Sequence, residues 1–219
     1  EETRPEEAWN YEVGGRLSRP GVQGEVVAFY DDYDNLLGRD TLSTGGAGTG
    51  DLFNGGSVRM YGLEASTRVD LGRPLALGAT LPLRVSYTFT RAAFRSAFES
   101  DYEPWGSVEE GDELPYLPEH QLYVGLGLRT GRWTADLGLR YLTRMRTEAG
   151  QGPLPEGQGT DAQLLLDASL EYGLTKSLRV FASAQNLTNA AYVVARRPAG
   201  TRPNLPRTVT AGIRLDLGS

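Results

Sequence analysis

Thr208-Val209-Thr210-Ala211-Gly212-Ile213-Arg214-Leu215-Asp216-Leu217-Gly218-Ser219 alternates between polar and apolar side chains almost without a break. Val209, Ala211, Ile213, Leu215 and Leu217 fall on one face of an extended chain, and Thr208, Thr210, Arg214 and Asp216 on the other. Period-two patterning sets one face of a strand in apolar surroundings and the opposite face in polar ones. Repeated along a chain, it predicts a sheet wetted by lipid on one side and by a watery lumen on the other, the all-β, antiparallel transmembrane β-barrel.

The repetition is present. Nine strands are predicted, near residues 9–17, 22–36, 57–71, 82–97, 119–130, 132–146, 162–173, 177–187 and 207–217. In the fifth, Leu122, Val124, Leu126 and Leu128 oppose Tyr123, Gly125, Gly127 and Arg129. In the sixth, Trp133, Ala135, Leu137, Leu139 and Tyr141 oppose Thr134, Asp136, Gly138 and Arg140. The third and seventh behave alike. Only the second, around Val26-Val27-Ala28-Phe29, resists assignment to a face. No segment has a helical period.

The links supply a second signal. They are short after the first, third, fifth and seventh strands, and long after the second, fourth, sixth and eighth (residues 37–56, 98–118, 147–161 and 188–206). Tight periplasmic turns and long extracellular loops alternate in this way in outer-membrane barrels. An odd strand number and two open edges do not suit a single-chain membrane barrel. The chain is therefore expected to be the C-terminal part of a larger barrel; an eight-stranded barrel without the first strand is the alternative.

Composition agrees without deciding. The chain has 28 Gly, 11 Tyr, no Cys and a net charge of −6, with a mean hydropathy of −0.37. It lacks the run of about 18 apolar residues that a membrane-crossing helix needs, but alternation halves the apolar signal of each barrel strand. It opens on Glu1-Glu2-Thr3-Arg4-Pro5, with no Met and no apolar leader, as a mature chain or a piece of a longer one would. No nucleic-acid partner is expected.

Several stretches resemble the C-terminal half of TonB-dependent outer-membrane receptors. They are Asp31-Asp32-Tyr33-Asp34-Asn35-Leu36-Leu37, Tyr61-Gly62-Leu63-Glu64-Ala65-Ser66, Leu117-Pro118-Glu119-His120-Gln121 and Gln185-Asn186-Leu187-Thr188-Asn189-Ala190-Ala191-Tyr192. Gly200-Thr201-Arg202-Pro203 and Pro206-Arg207-Thr208 then lead into the final strand. Each is short, but they stand in the family's order, each at the expected strand end. Asn54-Gly55-Gly56, Leu114-Pro115-Tyr116-Leu117-Pro118 and Arg197-Pro198-Ala199-Gly200 look most like ferric citrate receptors. The resemblance implies a barrel of about 22 strands closed by a separate N-terminal plug, of which residues 1–219 would supply the last nine strands and no plug. It further implies capture of an iron chelate such as ferric citrate by outward loops. Energy would come from the TonB complex acting through the absent plug. Expected partners are outer-membrane lipid and lipopolysaccharide, the plug and the remaining strands. The ferric chelate is cargo, and no cofactor or catalysis is expected. The end departs from the family, since Leu217-Gly218-Ser219 replaces the aromatic residue that barrel assembly commonly reads.

Candidate ligand contacts follow from charge. Residues 98–119 hold Glu99, Asp101, Glu103, Glu109, Glu110, Asp112, Glu113 and Glu119 with no basic residue, whereas residues 190–207 hold Arg196, Arg197, Arg202 and Arg207 with no acid. Guanidinium grips carboxylates bidentately, so an anionic iron–citrate complex favours the second loop. Alternatively, these arginines pair with the acidic loop or with lipopolysaccharide phosphates. Arg91, Arg95, Arg144 and Arg146 lie near the upper ends of the fourth and sixth strands, either pointing inward as a basic funnel or outward as part of the interfacial surface. Arg84, Arg129, Arg140, Arg179 and Arg214, with Glu64, Asp136, Asp167, Glu171 and Asp216, are read as a network on the lumen wall. Trp133, Tyr141 and Tyr172 are assigned to aromatic girdles. His120 is the only histidine and lacks partners at metal-ligand spacing. Gly45-Gly46-Ala47-Gly48-Thr49-Gly50 resembles a phosphate loop but lacks its Lys-Ser/Thr ending. Two other readings stay open, a small porin-like or adhesive barrel and a secreted all-β binding module.

Overall fold

The computed structural model describes residues 4–41, 46–73, 78–198 and 200–216, and all regular structure among them is β. Nine long strands, β1 (Glu7–Arg19), β2 (Val22–Asp34), β5 (Val58–Asp70), β6 (Pro82–Phe94), β9 (His120–Arg129), β10 (Trp133–Leu142), β11 (Gln163–Gly173), β12 (Leu178–Gln185) and β15 (Thr208–Leu215), form one sheet. Its order is β1-β2-β5-β6-β9-β10-β11-β12-β15, every neighbour antiparallel. Among the described residues β1 and β15 are its two edges. The Leu217-Gly218-Ser219 end lies outside the described residues.

The register shows what alternation builds. Tyr11, Tyr30 and Tyr61 stand in one cross-strand row, followed by Val13, Ala28, Leu63 and Phe89. Further along, Val69, Leu83, Leu126, Leu137 and Ala168 form another row, and Val180 meets Ile213 at the far edge. These rows share one face from β1 to β15. Among the described residues nothing covers them: Leu126 is 43% exposed, Leu137 44% and Ile213 71%. A soluble sandwich would turn such a face against a second sheet. Here the apolar side chains never converge on a shared interior.

The opposite face is polar and laced with ion pairs. Arg129 meets Asp136 at 2.7 Å, Arg140 meets Asp167 at 2.7 Å, and Glu171 accepts from both Arg179 and Arg214, at 2.8 and 2.7 Å. The first three join adjacent strands, and the Arg214 pair reaches from β15 across β12 to β11. Register also resolves the second strand. Val26, Ala28 and Tyr30 belong to the apolar face, and Val27 and Phe29 to the polar one. Phe29 lies there because its ring covers Gly62, where a Cβ would come within 2.6 Å of it. Phe181 covers Gly212 in the same way, at 2.7 Å. An aromatic ring laid over a strand glycine restores packing that the missing side chain would have supplied.

Long and short links alternate as expected, so the sheet has a turn end and a loop end. The long links differ from the expectation of plain connections. Those at 37–56, 98–118 and 188–206 carry three two-stranded ribbons, β3 (Leu36–Arg39) with β4 (Leu52–Gly55), β7 (Phe98–Glu99) with β8 (Ser107–Val108), and β13 (Val193–Ala195) with β14 (Arg202–Pro203). The second predicted strand, drawn to residue 36, breaks at Asn35, whose φ of 52° lies in the left-handed region. Few side chains favour that conformation other than glycine and asparagine.

Candidate functional site

Function is sought at the loop end, where the loops pack on one another before they can meet any ligand. Val58 and Phe94, at the ends of β5 and β6, are buried together with Tyr102 and Trp105 from the β7–β8 loop and Val108 of β8; Tyr33, Leu36, Phe53, Phe98 and Leu114 pack around them. Phe53 stacks on Tyr102 at 4.4 Å, and Trp105 meets Phe53, Phe94 and Phe98 edge-on. This cluster is the only sizeable apolar core among the described residues, and charge counting in 98–119 did not reveal it. The signal was there in the aromatic spacing of Phe98, Tyr102 and Trp105. Rings of this size contribute heavily to burial and hold the acidic loop in a fixed shape.

Arg197 ties three loops together. Its guanidinium reaches Glu103 of the β7–β8 loop and Glu148 of the β10–β11 loop. Burial works to lower its pKa, but the bonds to Glu148 and Glu103 outweigh that and hold it above the ordinary arginine value. Arg196 donates to the Gly159 carbonyl, and its backbone N–H reaches the Tyr116 hydroxyl at 3.4 Å. Arg202 donates to the Arg197 carbonyl at 2.9 Å. Of the four arginines in 190–207, only Arg207 is exposed, its side chain bonded to a single carbonyl, that of Leu187, at 3.5 Å. The pairing with the acidic loop that sequence reading kept as an alternative therefore describes Arg197. Glu103 and Glu148 are 65% and 48% exposed, so each pair contributes about 1 kcal/mol or less. Arg197→Gln is expected to leave the sheet intact and to raise protease cleavage and amide exchange in 98–119 and 147–161 together. Change in one loop alone would contradict a three-way tie.

Arg91 is paired with Tyr61 in the register and so stands on the apolar face, and Arg95 lies just past the end of β6. Arg95 pairs with Asp32 and Arg91 with Glu119 at 3.0 Å. Arg146 pairs with Glu113 at 2.6 Å, whereas Arg144 is exposed and has no bonded partner among the described residues. Arg91, Arg144 and Arg146 line one cavity of about 410 Å³, which Arg59, Tyr61, Glu113 and Glu119 also border.

Other candidates find structural uses. His120 sits between Tyr87 and Phe89, its Nδ1 2.8 Å from the Tyr87 hydroxyl. No group of three or more His, Cys, Asp or Glu able to hold a metal ion occurs among the described residues. In the glycine-rich stretch, whose Gly45 lies outside the described residues, Gly48 and Thr49 turn their N–H groups to the Asp40 carboxylate at 3.1 and 3.2 Å. Burial works to raise the Asp40 pKa, but the Thr49 hydroxyl and these N–H groups outweigh it and hold the carboxyl below its usual range. A side chain of this chain occupies the place a phosphate would take.

Comparison with known proteins adds the remaining facts. A family model described as "TonB dependent receptor-like, beta-barrel" matches residues 3–187. Among solved structures, the ferric-catecholate import receptor Fiu from E. coli K12 is similar to 97% of the chain at 21% identity, with a TM-score of 0.70. The ferric citrate transporter FecA is similar to 94% at 20% identity, TM-score 0.68. The copper transporter OprC is similar to 98% at 15% identity, TM-score 0.68. The chain spans 28% of the Fiu chain and 31% of each of the other two. At these identities the likeness is one of fold, and the three proteins are named for different cargoes.

Proposed function

Because the chain belongs to the TonB-dependent receptor-like β-barrel family, we propose that it forms the C-terminal wall and outward loops of an outer-membrane receptor that imports an anionic ferric chelate, with ferric citrate the first candidate. The observation that carries this reading is the uncovered apolar face running through all nine strands, in one chain with long loops at a single end. That face suits hydrocarbon, and the polar face suits a lumen filled by a plug from elsewhere in the full-length protein. The work is binding and passage, with no bond made or broken. Arg207 is the foremost ligand contact, being exposed and weakly held. Arg196, Arg197 and Arg202 shape the loop that presents it.

The test is uptake of labelled ferric citrate by iron-starved cells whose own receptor is deleted, complemented by the full-length gene. Uptake is expected to need the TonB complex and to stop when the inner-membrane proton gradient is collapsed. In Arg207→Ala the half-saturating concentration should rise about ten-fold, the loss of one charge-assisted bond. Uptake that survives loss of TonB would defeat the proposal and favour a passive porin-like barrel.

A further inference from the structure

We infer that the cavity bordered by Arg59, Arg91, Arg144 and Arg146 is a site for the dianionic phosphate of a membrane lipid. The inference rests on the outer-membrane reading above. Two of the four guanidiniums are committed, Arg91 to Glu119 and Arg146 to Glu113. Arg59 and Arg144 are exposed and have no bonded partner among the described residues. Asp32 stands opposite Arg59 in the register but is taken by Arg95. The cavity thus keeps two positive charges in excess of its carboxylates, which matches a phosphate monoester carrying nearly two negative charges at neutral pH.

Its position names the source of the phosphate. By register Arg91 stands on the apolar face in the Tyr11-Tyr30-Tyr61 row, and Arg59 one position along that face toward the loops. Below that row the face is aliphatic and aromatic, with Val13, Ala28, Leu63 and Phe89. Aromatic rows of this kind mark the boundary between hydrocarbon and headgroups. A lipid whose chains lie along the apolar face brings its headgroup to the height of this cavity. A soluble anion gains nothing from the aliphatic surface beneath. Guanidinium forks grip phosphate oxygens in pairs, so the site favours a terminal phosphate over a diester.

The experiment uses the full-length receptor, purified in a neutral detergent and stripped of lipid. It is titrated with phosphatidic acid, with phosphatidylglycerol and with inorganic phosphate, binding being read by native mass spectrometry. Phosphatidic acid is expected to bind at one site per receptor, at least about ten-fold more tightly than phosphatidylglycerol. Arg59→Gln/Arg144→Gln should lose this preference, while Arg59→Lys/Arg144→Lys retains part of it. Heat-modifiable gel mobility of each variant confirms a folded barrel. Equal binding by wild type and the glutamine pair overturns the site. Binding of inorganic phosphate as tight as phosphatidic acid overturns the lipid assignment. Uptake of ferric citrate by Arg59→Gln cells separates the two proposals, because it stays unchanged if the receptor reading holds, whatever the lipid result.

Discussion

Leu137→Arg is expected to destabilise the full-length barrel by about 2–4 kcal/mol when refolded in lipid vesicles and titrated with denaturant, the cost of a guanidinium near the bilayer midplane. Leu137 lies midway along β10, flanked in the register by Leu126 and Ala168. It is 44% exposed within the chain. In a water-soluble protein, a substitution so exposed changes stability by roughly 0.5 kcal/mol or less. The same residue therefore gives opposite answers for the two solvents. Ser169→Arg, on the polar face opposite Asp136, is the matched control and is expected to cost no more than about 1 kcal/mol, because a lumen-facing charge keeps its water and gains a carboxylate. If both variants behave alike, the apolar face does not meet hydrocarbon, and the receptor reading falls with it.

The second large effect is expected at Asn186, the centre of the Gln185-Asn186-Leu187-Thr188-Asn189 stretch. Its side chain is buried, with 4% exposed, and all of its hydrogen-bonding capacity toward the loop is used. Nδ2 donates to the carbonyls of Ala190 and Leu205, at 2.9 and 3.0 Å, and Oδ1 accepts from the Ala190 N–H at 3.0 Å. Its backbone N–H reaches Asp167 at 2.9 Å, and its φ is 48°. Asn189, at φ 53°, accepts from the Arg207 N–H at 2.9 Å. One residue thus closes the loop that returns from β12 to β15 and sets the path of 190–207. Asn186→Ala leaves the half-buried Ala190 N–H without its acceptor, reduces the Ala190 and Leu205 carbonyls to the Asn204 amide alone, and places alanine in the left-handed region. The expected loss is about 2–4 kcal/mol of local stability, read as faster amide exchange through 187–207 with β9–β11 unaffected. Asn186→Asp keeps the acceptor and loses both donors, so it should fall between wild type and alanine. Uniform loosening of the whole sheet would show that the knot is not local.

The same residue marks how far sequence could be read. The Asn-Leu-Thr-Asn stretch was recognisable as a motif at a strand end, but its purpose was not, because the partners at Ala190, Leu205 and Arg207 lie up to about twenty residues away in sequence. Arg197 is a sharper case. Charge alone set it against an acidic loop or a ligand, and the choice fell to Glu103 and Glu148, each far along the chain. Arg91 and Arg95 were left pointing either way. Only the register with Tyr61 puts Arg91 on the apolar side, and Arg95 lies past the end of its strand.

What the sequence determined by itself is the sheet. Side chains alternate with period two as a property of one extended chain, so the apolar face, the polar face, the nine long strands and the alternation of short and long links needed no neighbour to be legible. The tertiary structure alone decided what depends on pairing. It settled the faces of Val26 to Phe29, because Phe29 must cover Gly62 one strand away. It built the Phe53, Phe94, Tyr102 and Trp105 cluster from three separate segments. At the loop end it also separated the arginines held by carboxylates and carbonyls, such as Arg146 and Arg197, from exposed Arg59 and Arg144, which have no bonded partner among the described residues, and Arg207, held by one long bond. Register and loop packing join residues distant in the chain, and a local pattern carries no record of which distant partner each one meets.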